Sequence, residues 1–332
     1  MAPGVYLRDG VEIEFASGER IVCDGVPKGS SKQEVTTAVS HAHGDHLVDT
    51  AGEIVASELT VALASVRQSE CKPEKITHPA VDLIPAGHIA GSRAVLLTDP
   101  ETDCRYLYTG DCRLSDRLYL DGFDLVDADV LILETTYGDP KYRFPSPEKT
   151  HNRIREWLAQ TMDDVVILFG YALGRAQKLQ VLLESTARSR VFITDAIAEL
   201  NAVIESHREI SFDARRYTTD VTLQPGDAVV LPMQTTRLGW IESLIEATDA
   251  ITAGFSGWAI DDSFIYQRGV DKGFVLSDHC DYDELIELVT TVDPERVYTQ
   301  HGFTETFATR LTREHGYDTQ ALKSNQSTLG DF

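Results

Sequence analysis

The chain has 332 residues, 42% of them hydrophobic, with a net charge of −23 and a pI of about 4.7. That is long enough for one large domain or two of ordinary size. No apolar stretch approaches the roughly 20 residues of a bilayer-spanning helix, and the charge excludes a broad basic surface for nucleic acid.

Only nine of the 30 basic residues are lysine. Such acid-rich, lysine-poor composition resembles that of salt-accumulating halophiles, whose acidic surfaces repel themselves little when the Debye length shrinks to about 3 Å. The five cysteines (Cys23, Cys71, Cys104, Cys112, Cys280) are scattered, odd in number and without metal-binding spacing. They read as reduced thiols. The first residues lack the basic and apolar regions of a signal peptide, so a cytoplasmic location is expected.

In chain order, the first third reads as short strands at Val11–Phe15, Arg20–Cys23, Thr36–Ser40, Ile54–Ala56, Asp82–Pro85, Ala94–Asp99 and Cys104–Thr109, with a helix over Glu58–Ser69. Val130–Glu134 is a further buried strand. Near residue 147 the rhythm changes to strand–helix alternation. Pro147–Met162, Arg175–Thr186 and Ala196–Ser206 read as helices. Val165–Phe169, Val191–Thr194, Ala228–Leu231 and Ile251–Ala253 read as strands. That alternation marks a parallel α/β layer. After residue 268 come a strand at Phe274–Leu276, a helix at Asp281–Val289, a strand at Arg296–Thr299 and a helix from Thr304. The fold class is therefore α/β. Three segments are expected: a core over residues 1–149, an inserted α/β unit over 150–267, and the rest of the core over 268–332.

Ligand-type residues concentrate outside the inserted stretch. His41-Ala42-His43-Gly44-Asp45-His46 puts three imidazoles and a carboxylate within six residues, directly after an apolar run. A strand end supplies His41 and His43, two apart, and the following turn supplies Asp45 and His46. The cluster thus splits into two half-sites, as two ions require. Imidazole with carboxylate suits zinc and related divalent ions. His88, Asp111 and His301 each end a short β-like run. His78, His151, His207 and His315 read as structural side chains.

In order, the His41–His46 cluster, His88 and Asp111 resemble the second, third and fourth motifs of the metallo-β-lactamase superfamily. Asp24 resembles the first-motif aspartate. Glu134 in Leu133–Gly138, His279 in Leu276–Tyr282 and His301 resemble motifs A, B and C of the β-CASP nuclease branch. Within it the chain is similar to ligase-associated DNA exonucleases and to archaeal mRNA 3′-end processing factor-like proteins. The resemblance covers nearly the whole chain. It implies an αββα sandwich with an inserted β-CASP domain over the site, and a cleft for single-stranded DNA or RNA. It also implies two divalent ions, Zn²⁺ with Mn²⁺ as the alternative. His41, His43 and His88 hold one, Asp45, His46 and His301 the other, and Asp111 bridges, with Asp24 orienting a ligand from behind. His279 is left outside the ligand set as general acid, with Glu134 raising its pKa. Asp45, His279 and Glu134 are then the catalytic residues.

Gly174-Arg175 opens a helix after a strand, a phosphate-binding arrangement if the arginine is free. Trp258, Tyr142 and Phe144 are candidates for stacking bases. The function expected is metal-dependent hydrolysis of single-stranded nucleic acid, as an exonuclease, with a DNA ligase or helicase system as partner and no membrane. DNA and RNA both stay open, as does the oligomeric state. The alternatives are a thioesterase-like hydrolase of small substrates and an inactive nucleic-acid-binding paralogue. The insertion and His279 speak against the first, and the complete ligand set against the second.

Overall fold

A computed structural model of the chain describes residues 4–26, 35–47, 52–68 and 72–323; Cys71 and most of the turn expected at 25–29 lie outside them. The described residues begin with strands β1 (Gly4–Arg8), β2 (Gly10–Glu14), β3 (Arg20–Cys23), β4 (Val35–Ala38) and β5 (Glu53–Val55), then helix α1 (Glu58–Arg67). Strands β6 (Glu74–Ile76), β7 (Val81–Pro85), β8 (Arg93–Thr98), β9 (Arg105–Tyr108) and β10 (Val130–Thr135) follow. Alternation then sets in: α2 (Pro147–Gln160), β11 (Val166–Gly170), α3 (Arg175–Glu184), β12 (Arg190–Ile193), α4 (Asp195–His207) and β13 (Arg215–Arg216). It continues with β14 (Asp227–Pro232), α5 (Gly239–Thr248), β15 (Ile251–Phe255), α6 (Ser263–Arg268) and β16 (Lys272–Phe274). The chain closes with α7 (Tyr282–Val292), β17 (Arg296–Gly302), α8 (Thr304–Arg310) and β18 (Asp318–Ala321).

The chain divides into two compact units. One holds the residues up to Asp116, Asp121–Arg143 and everything from His279; the other holds Arg117–Leu120 and Phe144–Asp278. The first unit has two six-stranded sheets, ordered β1-β2-β3-β4-β5-β6 and β18-β17-β10-β9-β8-β7. Side chains alternate across each strand. Val95, Leu97, Tyr106, Tyr108 and Ile132 of the second sheet share a core with Val11, Ile13, Ile21, Cys23 and Val55 of the first. Their neighbours Ala94, Leu96, Leu107, Leu131 and Leu133 point the other way, onto Leu285, Leu288 and Val289 of α7 and Phe307 of α8. The central strand β10 of the second sheet is buried on both faces, which is why Val130–Glu134 reads as a continuous apolar run.

The second unit is one parallel six-stranded sheet, ordered β13-β12-β14-β11-β15-β16. Val166, Leu168, Val230 and Ala253 face α2, α3 and α4 through Ile154, Leu158, Leu179, Leu183 and Ile197. Ile167, Phe169, Val229 and Leu231 face the opposite side, with Ile241 of α5 and Phe264 of α6. Burial on both faces is what a parallel sheet needs. The strand expected at 274–276 sits slightly earlier and pairs with β15. Phe274 stacks on Phe255, ring centroids 5.3 Å apart, so this stretch lies with the second unit and not, as the expected boundary at 268 had it, with the returning core.

Candidate metal centre

The centre is assembled at strand ends of the first unit. Asp24 directly follows β3, with a positive φ of 50°. Its carboxylate accepts from the Ser40 backbone N–H at 2.7 Å, the Ser40 hydroxyl at 2.5 Å and the Tyr108 hydroxyl at 2.9 Å. His46 Nδ1 lies 2.8 Å from the same carboxylate. Ser40 Oγ also lies 2.9 Å from His41 Nδ1. One acid therefore fixes two imidazoles, one directly and one through a hydroxyl.

Two glycines permit the approach. Gly110, just before Asp111, has φ +53°, and a Cβ there would lie 2.6 Å from Ser40 Cβ. Gly87, just before His88, has φ +71°, and a Cβ would lie 2.2 Å from the Arg113 carbonyl. An L side chain meets both a disfavoured left-handed conformation and a clash at each position.

Asp111 Oδ2 is the point of convergence. It lies 3.6 Å from Nε2 of His41, of His46 and of His88. His43 Nδ1 is 3.1 Å from His41 Nε2 and 3.2 Å from His88 Nε2. His41, His43, His88 and Asp111 thus form one ligand group, and Asp24, His41 and His46 a second. His41 and His88 are fully buried. Burial, and then the imidazoles of His46, His88, His43 and His279, push the His41 pKa well below the usual value. Neutral rings present lone pairs, and so many cannot satisfy one another by hydrogen bonding. Their convergence on a carboxylate is the donor chemistry of a divalent-cation site.

His46 behaves differently. Burial opposes its charge, but Asp111 and Asp24 outweigh burial and raise its pKa to about 10. Burial raises that of Asp111. Such carboxylate–imidazole pairing orients a ligating ring.

A third group joins Asp111 to Glu134 and His279. Glu134 ends the apolar run of β10 and is fully buried. His279 Nδ1 lies 3.1 Å from Glu134 Oε1 and 3.9 Å from Asp111 Oδ2. Burial alone would raise the Glu134 pKa; the charge and hydrogen bond of His279, with the Thr136 N–H at 2.8 Å, lower it instead.

The other expected residues stand apart. Asp45 is exposed, its Oδ2 3.9 Å from His46 Nε2. His301 is also exposed, with φ 57°. Neither joins a ligand group among the described residues, although the charge of His301 is felt at Asp45 and Asp111. Arg175 requires a correction. It is only 2% exposed, donating to Asp278 at 2.6 Å and to the Phe255 carbonyl at 3.1 Å, so it is not a free phosphate ligand. Tyr142 is buried against Tyr137 and Phe303, with ring centroids 5.3 Å and 5.4 Å away, and has no open face for a base. Trp258 is 37% exposed; Phe144 is partly buried. Ser40 and Tyr108 belong to the centre, and Arg113 holds the His279 carbonyl beside it, but none of the three carries a ligand-type signal. Only their places beside His41, Gly110 and Asp111 could have drawn attention to them.

Buried imidazoles around a shared carboxylate, mounted on the strand ends of an α/β protein, define a centre fit for divalent cations. These features are consistent with the metallo-β-lactamase superfamily and its β-CASP branch, which the chain resembles. It is 35% identical over 305 residues to a probable DNA ligase of Opitutus terrae, covering 88% of this chain and 29% of that protein. It is 35% identical over 109 residues to an RNase J-like protein of Methanocaldococcus jannaschii, covering 31% of this chain and 25% of that one. The chain thus spans less than a third of either relative. A crystal structure of a protein of unknown function from Enterococcus faecalis V583 shares the fold, with a TM-score of 0.63 at 13% identity over 98% of this chain and 97% of that one. No family model matches.

Proposed function

We propose that the chain is a metal-dependent nuclease that hydrolyses phosphodiester bonds of single-stranded nucleic acid, as an exonuclease. One observation carries the reading: Asp111 Oδ2 faces three imidazole Nε2 atoms at 3.6 Å, with the His279–Glu134 pair beside it. The relatives named as a DNA ligase and an RNase J-like protein support nucleic acid as substrate, with a ligase system as partner. The facing sheets of the first unit, with α7 and α8 behind one of them, support an αββα sandwich interrupted by a β-CASP insertion.

Two divalent ions, Zn²⁺ or Mn²⁺, are the proposed cofactors. His41, His43 and His88 would hold one, His46 with Asp45 and His301 the other, and Asp111 both. Bound there, the ions would supply an activated water at neutral pH and charge stabilisation at the attacked phosphate. The chain's residues do the rest. Asp24 fixes His46 through Nδ1 and leaves Nε2 facing Asp111. Glu134 accepts from His279 Nδ1–H, which leaves Nε2 as the proton-bearing atom for the departing oxygen. Burial of Glu134 keeps this hydrogen bond away from water, where it is stronger. The charge of −23 fits a protein working in concentrated salt.

The test is hydrolysis of end-labelled single-stranded DNA and RNA with Zn²⁺ or Mn²⁺, from 0.05 M to 3 M KCl. Laddering from one end, kept or increased towards molar salt, is the expected result. No cleavage of either polymer by protein carrying metal would reject the nuclease reading. A rate falling monotonically with salt, the fold intact, would reject the halophilic one.

A further inference from the structure

His279 sits in an irregular stretch between β16 and α7, yet its ring must meet Glu134 and Asp111 together. The side chain that governs its backbone is Arg113, two residues past Asp111 and only 5% exposed. Arg113 Nη1 donates to the His279 carbonyl at 2.6 Å. Its Nε lies 3.0 Å from Glu284 Oε2 and donates to Ser115 Oγ at 3.1 Å. Glu284 in turn accepts from the Asp281 N–H at 3.1 Å and the Ser115 N–H at 3.2 Å, closing the capping box of α7. One residue before Arg113 and one after His279, the Cys280 N–H donates to the Cys112 carbonyl at 2.8 Å, and the two thiols pack 3.8 Å apart. The segment after Asp111 and the segment around His279 are thus zipped together by a backbone bond and a guanidinium. Arg113 is anchored itself, its N–H donating to the Ala86 carbonyl and its carbonyl accepting from the Phe123 N–H, each at 2.9 Å.

We infer that Arg113 is a positioning residue, which sets the place of the His279 ring relative to Asp111 and Glu134 by holding the His279 carbonyl. The inference rests on the nuclease reading and names what keeps that site in register. A planar fork reaches three acceptors in fixed directions; a lysine, a point charge, cannot replace it. Displacement of a proton donor by about 1 Å costs on the order of 10²-fold in rate. The contacts of Arg113 named above are to His279, Ser115 and Glu284 and not to the ligand atoms, so its loss should spare the metals.

The experiment compares wild type, R113Q, R113K and S115A. Three quantities are measured: bound metal, kcat and KM on one single-stranded substrate, and the ring ¹⁵N resonances of His279. R113Q and R113K should each keep their metal and lose about 10–100-fold in kcat with little change in KM, and the His279 signals should shift or broaden. S115A, which removes only one acceptor, should stay near wild type. Unmoved His279 resonances with kcat near wild type would overturn the inference, as would metal loss that accounts for the whole fall in rate. Should R113Q not fold, R113K keeps the charge and carries the same comparison. Should wild type with bound metal cleave no nucleic acid, the nuclease reading fails, and the His279 resonances still decide whether Arg113 positions that ring.

Discussion

Asp24 holds His46 from behind: its Oδ2 lies 2.8 Å from His46 Nδ1, while Nε2 of the same ring faces Asp111 at 3.6 Å. The carboxylate also takes two protons from Ser40 and one from Tyr108. A single acid thereby holds one imidazole directly and orients a second through a hydroxyl.

Replacement of Asp24 by Ala should therefore reduce metal affinity by about 10–100-fold, the usual cost of losing such a partner, although Asp24 is no member of the His41–His43–His88–Asp111 group. Metal content after dialysis against a graded chelator reads this directly. Affinity equal to wild type would show that His46 holds its pose unaided.

His279→Ala should retain both metals and lose roughly 10²–10⁴-fold in turnover, the range for a positioned acid. Glu134→Gln keeps the shape and an acceptor but removes the charge that favours the imidazolium, so it should lose less. Metal loss in His279→Ala would place that ring among the ligands instead.

Asp278 is fully buried between Arg175 and Lys178, themselves buried. Although burial alone would raise its pKa, Arg175, Lys178 and Arg117 hold it well below the carboxylate range. Its contribution to stability is complete above the unfolded value of about 3.9 and fades only as pH falls through the lower folded value. Asp278→Ala strands buried cations without their counter-charge and should cost about 3–5 kcal/mol at neutral pH, seen as a fall in the urea midpoint. An unchanged midpoint would mean that the cluster is held by packing alone.

His151 tests the opposite sign. Burial, then the cations Arg155, Lys178 and Arg117, lower its pKa to about 4, and its buried Nε2 has no hydrogen-bond partner among the described residues. The unfolded chain takes up a proton near 6.5 that the folded chain refuses until about 4. Stability from this residue is whole above 6.5 and is lost as pH drops between those values. His151→Leu should flatten the wild-type decline in urea midpoint across that window. Parallel curves would exclude the histidine as the cause.

Where one physical signal dominates, the sequence was readable. Arg20–Cys23 matches β3 residue for residue, and the strand–helix alternation after residue 147 appears as α2 to α4 with their intervening strands. His41, His43, His88 and Asp111 converge because strand ends put ligands at a sheet rim. Edge elements escaped. Strand β13 is two exposed arginines, β18 is a polar Asp-Thr-Gln-Ala strand, and α5 exposes Trp240. Neither strand has the apolar periodicity that burial imposes on a central strand, whereas α5 carries a helical one at Ile241, Leu244 and Ile245. Arg175 was misjudged because its partner Asp278 lies 103 residues away, and no local pattern announces a long-range ion pair. Tyr142 could not be distinguished from a stacking platform, since an aromatic ring has the same composition whether it is covered or open.

The four residues Arg117–Leu120 group with the second unit although first-unit residues flank them on both sides, and Leu118 packs against that unit's apolar core. No single contiguous excision can therefore isolate the second unit intact. A fragment cut at 144–278 would lose Leu118 and Arg117, the latter one of the cations holding the Asp278 carboxylate ionised. During synthesis, this tetrapeptide leaves the ribosome before any strand of the sheet it will join. The second unit is completed only by reaching back to a segment made earlier, so its folding draws on a stretch that begins at Arg117 and not at Phe144.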